Sequence, residues 1–515
     1  MMSRGLHNRK LAANPETSSL RTLIYHKSII LSVTDMPWTI VLSSSVFFVC
    51  WSLYRLIRRA STRTTLDNVP GLPHTSWLRG NLPKMYDSNA FRTHQEIEET
   101  YGSVMKFYGI LGERRLYVSD RKALYHVFVK DQDAFVQPEE YYMAYVFKPV
   151  ASDQRREHRK LLTPAFNINR MRQLTPGMYE VAKKLKRPFD GELANGPEEI
   201  DVLGWITPIA LQLIRHAGLS FDTPTDGDAS EAFATAIIET LPISGWTRIR
   251  RQILSWAMGQ AGERFRRFAL NYRPWRTLQL LFRPAHKVSD PLDPTISALS
   301  ATIHMLAKNP SAQDQLRNEI NGASGNRDDE IPYDVLVDLP FLDAVCRETL
   351  RLFPPFVTIP RVTATDAVLP LSRPIVGVDG KELHEIVIPA HTPIYSSVLS
   401  ANRDPAIWGA DTYQWKPQRW IDGLPQAVKE AAIPAIYSHL MTFVGGGHSC
   451  IGVEVLQFEM KAMLSMLVNN FHFALSDKDE DISWETTGVT SPVLVSIDGT
   501  KTHQLPLVVT AIDVN

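Results

Sequence analysis

The chain has 515 residues, 44% of them hydrophobic, which is enough to bury a large core. Its 55 basic and 55 acidic residues cancel, so no global charge favours a nucleic acid as partner. Three cysteines, Cys50, Cys346 and Cys450, are too few and too scattered for a disulfide framework, and they favour a reducing compartment.

The N-terminal part of the chain contains an uncharged apolar stretch, residues 38–53, with several arginines close behind it. With its flanks it approaches the ~20 residues that a membrane-spanning helix needs, which predicts a transmembrane anchor over residues 36–57. A cleaved signal peptide is the alternative, although no small-residue cleavage site follows. The basic flank favours a cytoplasmic position for the rest of the chain. Residues 1–35 are a leader of uncertain status, because Met36 is a second candidate for the start of translation.

Residues 58–73 are predicted as a basic linker that ends in a proline-rich hinge, VPGLP. Residues 74–515 are predicted as a single domain, because no later segment is long and apolar enough to span a bilayer and no internal repeat is visible. Apolar periodicity predicts a mainly α-helical fold with small β-sheets. The predicted helices cover 92–101, 155–162, 230–241, 294–308, 342–352 and 453–469, and the predicted strands 104–107, 116–118, 386–388 and 393–396.

The helix predicted at 294–308 has a clear start signal. Asp293 is a good N-cap, and Pro294 suits the first helical position. Upstream, Pro284, Pro291 and a polar segment leave no room for the same helix to extend backward. The sequence therefore predicts that this helix begins at residue 294.

The segment FVGGGHSCIG, residues 443–452, places a cysteine in a glycine-rich turn before a long apolar run. A buried, inert cysteine is the simplest interpretation. A phosphate-binding loop is excluded because no Gly-Lys-Ser/Thr follows, and His448 is too close in sequence to Cys450 to form a productive nucleophile pair. A metal thiolate fits better, since backbone N–H groups tolerate its charge and glycines let a flat cofactor approach.

These residues resemble the cytochrome P450 superfamily, whose fingerprint is F-x-x-G-x-x-x-C-x-G. Phe443, Gly446, Cys450 and Gly452 match every fixed position. Two further segments occur in the expected order. Residues 348–351 fit E-x-x-R with Glu348 and Arg351, and WKPQRW, residues 415–420, resembles the proline-arginine-aromatic segment and contains Arg419.

The resemblance implies a cytochrome P450-like fold with haem b as cofactor and Cys450 as axial thiolate ligand of the iron. Glu348, Arg351 and Arg419 would form a buried ion-pair network near the ligand loop. Phe443 would pack on the cysteine side of the haem, and Gly446 and Gly452 would belong to the haem-binding loop.

The resemblance also suggests partners for the haem propionates. His448 stands where the family usually has an arginine, and it is fully charged only if its pKa rises. Arg159 matches the arginine of the family's W-x-x-x-R helix, and Arg361 is similar to a cation near the first sheet. The alternative for both arginines is an exposed basic side chain.

The distal, oxygen-binding part of the pattern is broken. Asp293 matches the acid of the family's A-G-x-D/E-T-T segment and Thr295 matches its second threonine, so these two are the candidate catalytic residues. Pro294 occupies the position of the first threonine, and the preceding half of the distal helix is missing, as though some 20 to 30 residues had been lost. A positioned proton donor typically contributes about 10² to 10⁴ in rate, so the loss bears on activity.

Three functions stay open: a membrane-bound monooxygenase, a haem-binding relative with impaired or lost oxygenase activity, and a non-enzymatic scaffold. The first implies a single-pass protein of the endoplasmic reticulum membrane with a cytoplasmic catalytic domain. Its partners would be an NADPH-cytochrome P450 reductase and a hydrophobic small molecule such as a terpenoid or another secondary metabolite. The predicted substrate pocket draws on residues 137–150 and on Phe356 and Val357, each of which could also be plain core.

Overall fold

The computed structural model describes residues 64–138, 157, 159–161, 163–208, 294–325, 329–431, 433–486 and 488–512. The predicted leader, the predicted anchor at 36–57, the predicted helix at 230–241 and nearly all of the predicted pocket segment 137–150 lie outside these residues. Asp293 also lies outside them. The described residues from Thr64 onward fall in one compact unit.

Helices and short β-sheets make up the described part of the chain. The α-helices are α1 (Leu82–Met85), α2 (Ala90–Tyr101), α3 (Arg121–Tyr125), α4 (Ile168–Glu192), α5 (Pro294–Lys308), α6 (Pro310–Ala323), α7 (Tyr333–Val337), α8 (Pro340–Leu352), α9 (Val398–Ala401), α10 (Pro405–Trp408), α11 (Gln418–Ile421), α12 (Gln426–Glu430) and α13 (Val453–Asn470). The strands are β1 (Val104–Tyr108), β2 (Arg114–Val118), β3 (Phe135–Val136), β4 (Glu198–Asp201), β5 (Thr358–Thr363), β6 (Ala367–Val376), β7 (Glu382–Ile388), β8 (Pro393–Ser397), β9 (Phe471–Leu475), β10 (Ile482–Thr486), β11 (Thr490–Val495), β12 (Lys501–Thr502) and β13 (Pro506–Ala511).

The predicted fold class, mainly α-helical with small sheets, is confirmed for the described residues. The helices predicted at 92–101, 342–352 and 453–469 correspond to α2, α8 and α13 within a few residues. Residues 157 and 159–161, which belong to the predicted helix 155–162, are helical. The longest helix described, α4, was not predicted, because its sequence mixes charged and apolar residues without a clean stripe.

The core surrounds helix α13. Its residues are buried over most of its length, and it packs against α4, α5, α6, α7 and α8. A helix that is apolar on nearly every side is typical of the centre of a large helical domain. The cysteine of the glycine-rich segment therefore sits immediately before the central helix of the fold.

A five-stranded sheet, with strand order β1-β2-β8-β5-β3, lies in the described part of the chain beside this helical core. Its strand β5 runs antiparallel to β8, with Arg361 opposite Ile394. The hinge segment packs on the sheet edge, because Lys106 of β1 donates its backbone N–H to the carbonyl of Pro70. This sheet fixes the position of Arg361.

The predicted single-pass membrane location requires a correction. Among the described residues, none of the helices combines the length and the apolar character that crossing a bilayer requires. This finding contradicts the predicted transmembrane helix and the membrane localisation derived from it. The stretch that suggested them, residues 36–57, lies outside the described residues.

Candidate active site

The glycine-rich segment forms two short turns that lead into α13. Met441–Phe443 and Gly446–His448 are 3₁₀ turns, and Gly446 has a φ of 70°. A Cβ atom on Gly446 would lie 2.0 Å from the backbone oxygen of Phe128. Only glycine permits both this left-handed conformation and this close approach, so the loop is locked against the segment that contains Phe128.

Cys450 ends this loop. Its backbone N–H donates to the carbonyl of Phe443 at 2.9 Å, which joins the two ends of the fingerprint. Cys450 is exposed and forms no disulfide. The surrounding loop nevertheless desolvates its thiol and raises the thiol's pKa, while the backbone N–H of Gly452 and the charge of Arg159 act in the opposite direction. A bound metal cation would reverse this balance, because a coordinating thiol loses its proton.

Phe443 is buried in the core, and His448 is partly exposed at the end of the second turn. The ring of Tyr437 contacts Phe443 edge-on, with ring centres 5.3 Å apart and an angle of 84° between the planes. The position of Phe443 is therefore fixed by two contacts. Its ring packs against the ring of Tyr437, and its carbonyl accepts the hydrogen bond from the amide of Cys450.

Arg159 reaches the cysteine loop. Its guanidinium donates to the carbonyl of Ser449 at 2.6 Å, to the hydroxyl of Ser449 at 3.1 Å and to the carbonyl of Gly447 at 3.4 Å. The structure therefore brings Arg159 next to Cys450, as a cation that bridges the loop carbonyls.

Arg361 is buried on β5, with 2% of its surface exposed. Its guanidinium carbon lies 4.7 Å from the centre of the Phe128 ring, and Nη1 donates to the carbonyl of Pro360 at 2.8 Å. Phe128 therefore contacts Arg361 through its ring and Gly446 through its backbone. Sequence patterns did not single out Phe128, because its role comes only from contacts made across the fold.

Thr295, the described member of the candidate catalytic pair, is buried on α5. Its hydroxyl donates to Oε2 of Glu459, a buried residue of α13, at 2.8 Å. This hydrogen bond ties α5 to the helix that follows Cys450. The described part of α5 begins at Pro294, so the predicted start of this helix stays a prediction.

Glu348 lies at the centre of a buried polar cluster. It pairs with Arg351 at 2.9 Å and with Arg419 at 3.0 Å, and the side chains of Glu348 and Arg351 are 0% exposed. Lys416 and Trp420 donate further hydrogen bonds to its carboxylate. The structure therefore brings Arg419, which is distant in sequence, to the pair that Glu348 and Arg351 form within one turn of α8.

A connection between this cluster and the cysteine loop was missed by the sequence analysis. Nη1 of Arg351 donates to the carbonyl of buried Asn402, and the side chain of Asn402 bonds both the backbone N–H of Met441 and the hydroxyl of Thr442. Thr442 in turn donates to the carbonyl of Leu350 on α8. Asn402 stands in a segment without a motif, so no signal in a single sequence identifies it.

The described residues on the cysteine side fit a haem-thiolate group. Such a group needs one accessible thiol, a backbone that approaches closely and cations for its carboxylates. The Cys450 thiol is exposed, and the loop is built on glycines. Arg159 contacts Ser449 of the loop, and Arg361 contacts Phe128, whose backbone lies against Gly446. Among the described residues, no cluster of His, Cys, Asp and Glu offers a competing metal site.

Comparison with known proteins agrees with this arrangement. A family model described as Cytochrome P450 matches residues 70–267 and 292–495, so the chain belongs to the cytochrome P450 family. Members of this family carry a haem iron ligated by a cysteine thiolate and use a redox partner.

Individual relatives match along most of the chain. It is 36% identical to cytochrome P450 monooxygenase 91 of Postia placenta, over 87% of this chain and 94% of that protein. It is 32% identical to cytochrome P450 monooxygenase 219 of the same fungus, over 90% and 96%. It is 30% identical to a ganoderic acid synthetase of Ganoderma lucidum, over 92% and 98%. The protein is accordingly a P450-type monooxygenase, an oxidoreductase.

Proposed function

We propose that the protein oxidises a hydrophobic small molecule, a terpenoid or another secondary metabolite, with electrons from an NADPH-cytochrome P450 reductase. The observation that carries this proposal is the exposed Cys450 thiol, held on a glycine loop in front of the buried helix α13. Haem b, when bound, would activate dioxygen, insert one oxygen atom into the substrate and release the other as water with two electrons and two protons.

In this proposal each residue of the cysteine side has one task. Cys450 supplies the thiolate ligand, and Gly446 and Gly452 let the backbone approach the ring. Phe443 packs close to the cysteine side of the haem. Arg159, Arg361 and His448 supply positive charge or hydrogen bonds for the haem carboxylates, which is the usual role of cations beside such groups.

The buried cluster of Glu348, Arg351 and Arg419 has a positioning task. It does not touch the reacting atoms, but Asn402 and Thr442 connect it to the start of the cysteine loop. Loss of the carboxylate would remove the ion-pair partner of buried Arg351 and one of the two carboxylate partners of Arg419, whose other partner is Asp411 at 3.2 Å. The cluster therefore keeps the loop in the geometry that the thiolate requires.

On the distal side we propose Asp293 and Thr295 as the residues that handle protons. Pro294, which stands between them, has no hydroxyl and cannot relay a proton. A second candidate function follows from this proline: a haem-binding relative with impaired oxygenase activity. In agreement, the family model leaves residues 268–291 unmatched, directly before this segment.

The substrate pocket is proposed to include Phe356 and Val357, which follow the Pro354-Pro355 pair. Val357 is buried and Phe356 partly buried, and β11 is tied to this segment by a hydrogen bond from the Thr490 amide to Pro355. Apolar lining of this kind suits a lipophilic compound. The relative named for ganoderic acid suggests a first class of compounds to screen.

The thiolate proposal is tested with two cysteine variants of the full chain. The wild type, supplied with haem, is expected to give the red-shifted ferrous carbon-monoxide band of a thiolate ligand. Cys450→Ser should lose that band, because a serine hydroxyl does not replace a thiolate. Cys346→Ala is the matched control, since Cys346 is buried on α8 and distant in sequence from the loop. A Cys450→Ser protein with an unchanged band would refute the proposal.

The two candidate functions are separated by measuring product against NADPH consumption with the reductase present. A productive monooxygenase forms close to one product per NADPH. An impaired relative consumes NADPH but forms little product, because water on an open distal side diverts the electrons. Replacing Pro294 by Thr should raise the product yield per NADPH if the missing hydroxyl is the cause.

A further inference from the structure

Tyr437 lies directly behind the cysteine loop and is 7% exposed. It begins a tight turn in which two consecutive non-glycine residues, Ser438 and His439, have φ values of 50° and 58°. The turn closes with a hydrogen bond from the amide of Leu440 to the carbonyl of Tyr437 at 2.9 Å. A conformation of this kind costs about 1–3 kcal/mol per residue and persists only where the surroundings impose it.

The strained turn brings the Tyr437 ring onto Phe443. The two rings meet edge-on at 5.3 Å, the arrangement that aromatic quadrupoles favour. Phe443 accepts the amide hydrogen of Cys450 through its own carbonyl. A displacement of Phe443 therefore moves the amide of Cys450, the residue that carries the sulfur.

Arg347, on α8, contacts the ring of Tyr437 through its guanidinium. Its guanidinium carbon lies 5.5 Å from the centre of the Tyr437 ring and 5.8 Å from that of Trp420, in the range of cation–π contacts. Its Nε lies 2.5 Å from a carboxylate oxygen of Asp343, one turn earlier on the same helix. The ion pair with Asp343 therefore fixes the position of the guanidinium that contacts the Tyr437 ring.

The same carboxylate also holds the helix that follows the cysteine. Lys461 of α13 is buried, and its Nζ lies 2.8 Å from the other oxygen of Asp343. Asp343 and Arg347 therefore contact the chain both before and after the cysteine loop. One contact is Tyr437 before the loop, and the other is Lys461 after it.

We propose that Tyr437, held by Arg347, is a positioning residue for the Cys450 thiolate, which acts through the ring and carbonyl of Phe443 to fix the backbone of Cys450. The proposal rests on the haem-thiolate function proposed above. Tyr437 lies outside the fingerprint, since it precedes the first residue of F-x-x-G-x-x-x-C-x-G. The side chain acts on the ligand only through other residues and is not a catalytic residue.

The expected consequence concerns the haem reduction potential. A ferric haem with a thiolate ligand has a neutral centre, and reduction makes that centre negative, so water near the sulfur favours the reduced state. Tyr437→Leu removes the ring edge that supports Phe443. When Phe443 no longer fixes the backbone of Cys450, more water reaches the sulfur, so the potential should become less negative than in the wild type.

Two further variants separate this role from simple packing. Tyr437→Phe keeps the ring that contacts Phe443 and removes only the hydroxyl, so the potential should stay close to that of the wild type. Arg347→Met leaves the ring in place and removes the cation, and it should shift the potential in the same direction by less. Because Arg347 is partly exposed, this variant provides the test if Tyr437→Leu does not fold.

Tyr333 offers a matched control. It is buried to the same degree as Tyr437 and meets Phe458 edge-on at 5.2 Å, but it lies on α7 and its ring partner belongs to α13 instead of the cysteine loop. Tyr333→Leu should lower stability comparably and leave the potential unchanged.

If Tyr437→Leu and Arg347→Met both keep the wild-type potential, or if Tyr333→Leu shifts the potential as much as Tyr437→Leu, the proposal is wrong. If the wild type itself lacks the thiolate band when supplied with haem, the underlying function fails instead.

Discussion

Replacing Glu348 by Gln tests the buried cluster most directly, because the side chain keeps its shape and loses only its charge and one acceptor. Oε1 accepts hydrogen bonds from Nη2 of Arg351, Nε of Arg419 and the amide of Lys416, at 2.9, 3.0 and 3.0 Å. Oε2 accepts from Nε of Arg351 and Nε1 of Trp420, both at 2.9 Å. Every partner is a donor.

A glutamine at this position must direct its NH₂ group at donors in either orientation. The less damaging orientation places NH₂ at the Oε2 position, where Nε of Arg351 and Nε1 of Trp420 both lose their acceptor. Arg351 also loses its counter-charge in a site without solvent, whereas Arg419 keeps the carboxylate of Asp411 at 3.2 Å. Breaking a buried pair from one side costs about 3–5 kcal/mol, which is a large part of the ~5–15 kcal/mol that typically separates folded from unfolded protein.

The assay is urea unfolding of the haem-loaded protein, followed by far-ultraviolet circular dichroism and by the haem absorbance. Glu96→Gln is the control, because Glu96 forms an exposed pair with Arg92 at 2.9 Å on α2. Such surface pairs contribute about 0.3–0.5 kcal/mol. We expect Glu348→Gln to lower the free energy of unfolding by several kcal/mol more than Glu96→Gln and to release haem at lower urea. Equal effects of the two variants would refute the reasoning.

The remaining predictions concern the loop, a buried histidine and the distal helix. Gly446→Ala should abolish the thiolate band, because its Cβ would lie 2.0 Å from the backbone oxygen of Phe128. Gly447→Ala is the control and should retain the band, because its Cβ would meet only the flexible side chain of Gln132. Equal bands in the two variants would contradict the loop geometry. Burial lowers the pKa of His94 to about 4, so its neutral form stabilises the fold fully above pH 6.5, and this stability is lost as pH falls toward 4. The wild type should therefore lose about 3 kcal/mol of unfolding free energy relative to His94→Gln as the pH falls from 6.5 to 4. A difference between the two proteins that does not change with pH would contradict this prediction. Thr295→Val should cost about 1–3 kcal/mol because a buried carboxylate loses a donor, while Thr302→Val, whose hydroxyl bonds only its own helix, should cost less in the same thermal melt.

The haem-ligand candidate and the cluster around Glu348 could be predicted from the sequence because each depends on a local pattern. The fingerprint from Phe443 to Gly452 is contained in ten consecutive residues, and Glu348 and Arg351 are one helical turn apart. Long apolar runs such as the one in α13 also predict helices reliably. The membrane location was inferred from composition alone, and it is the prediction that the structure contradicts.

What the sequence determined by itself is therefore the chemistry available at the site: one thiol, its glycines and the charged residues spaced for a helix. Only the tertiary structure decided which side chains support that thiol. Tyr437 meets Arg347, Thr295 meets Glu459, and Asn402 meets the start of the loop across gaps of tens to hundreds of residues. Such contacts arise because helices and sheet pack around α13, and no pattern along a single chain encodes the partners that this packing selects.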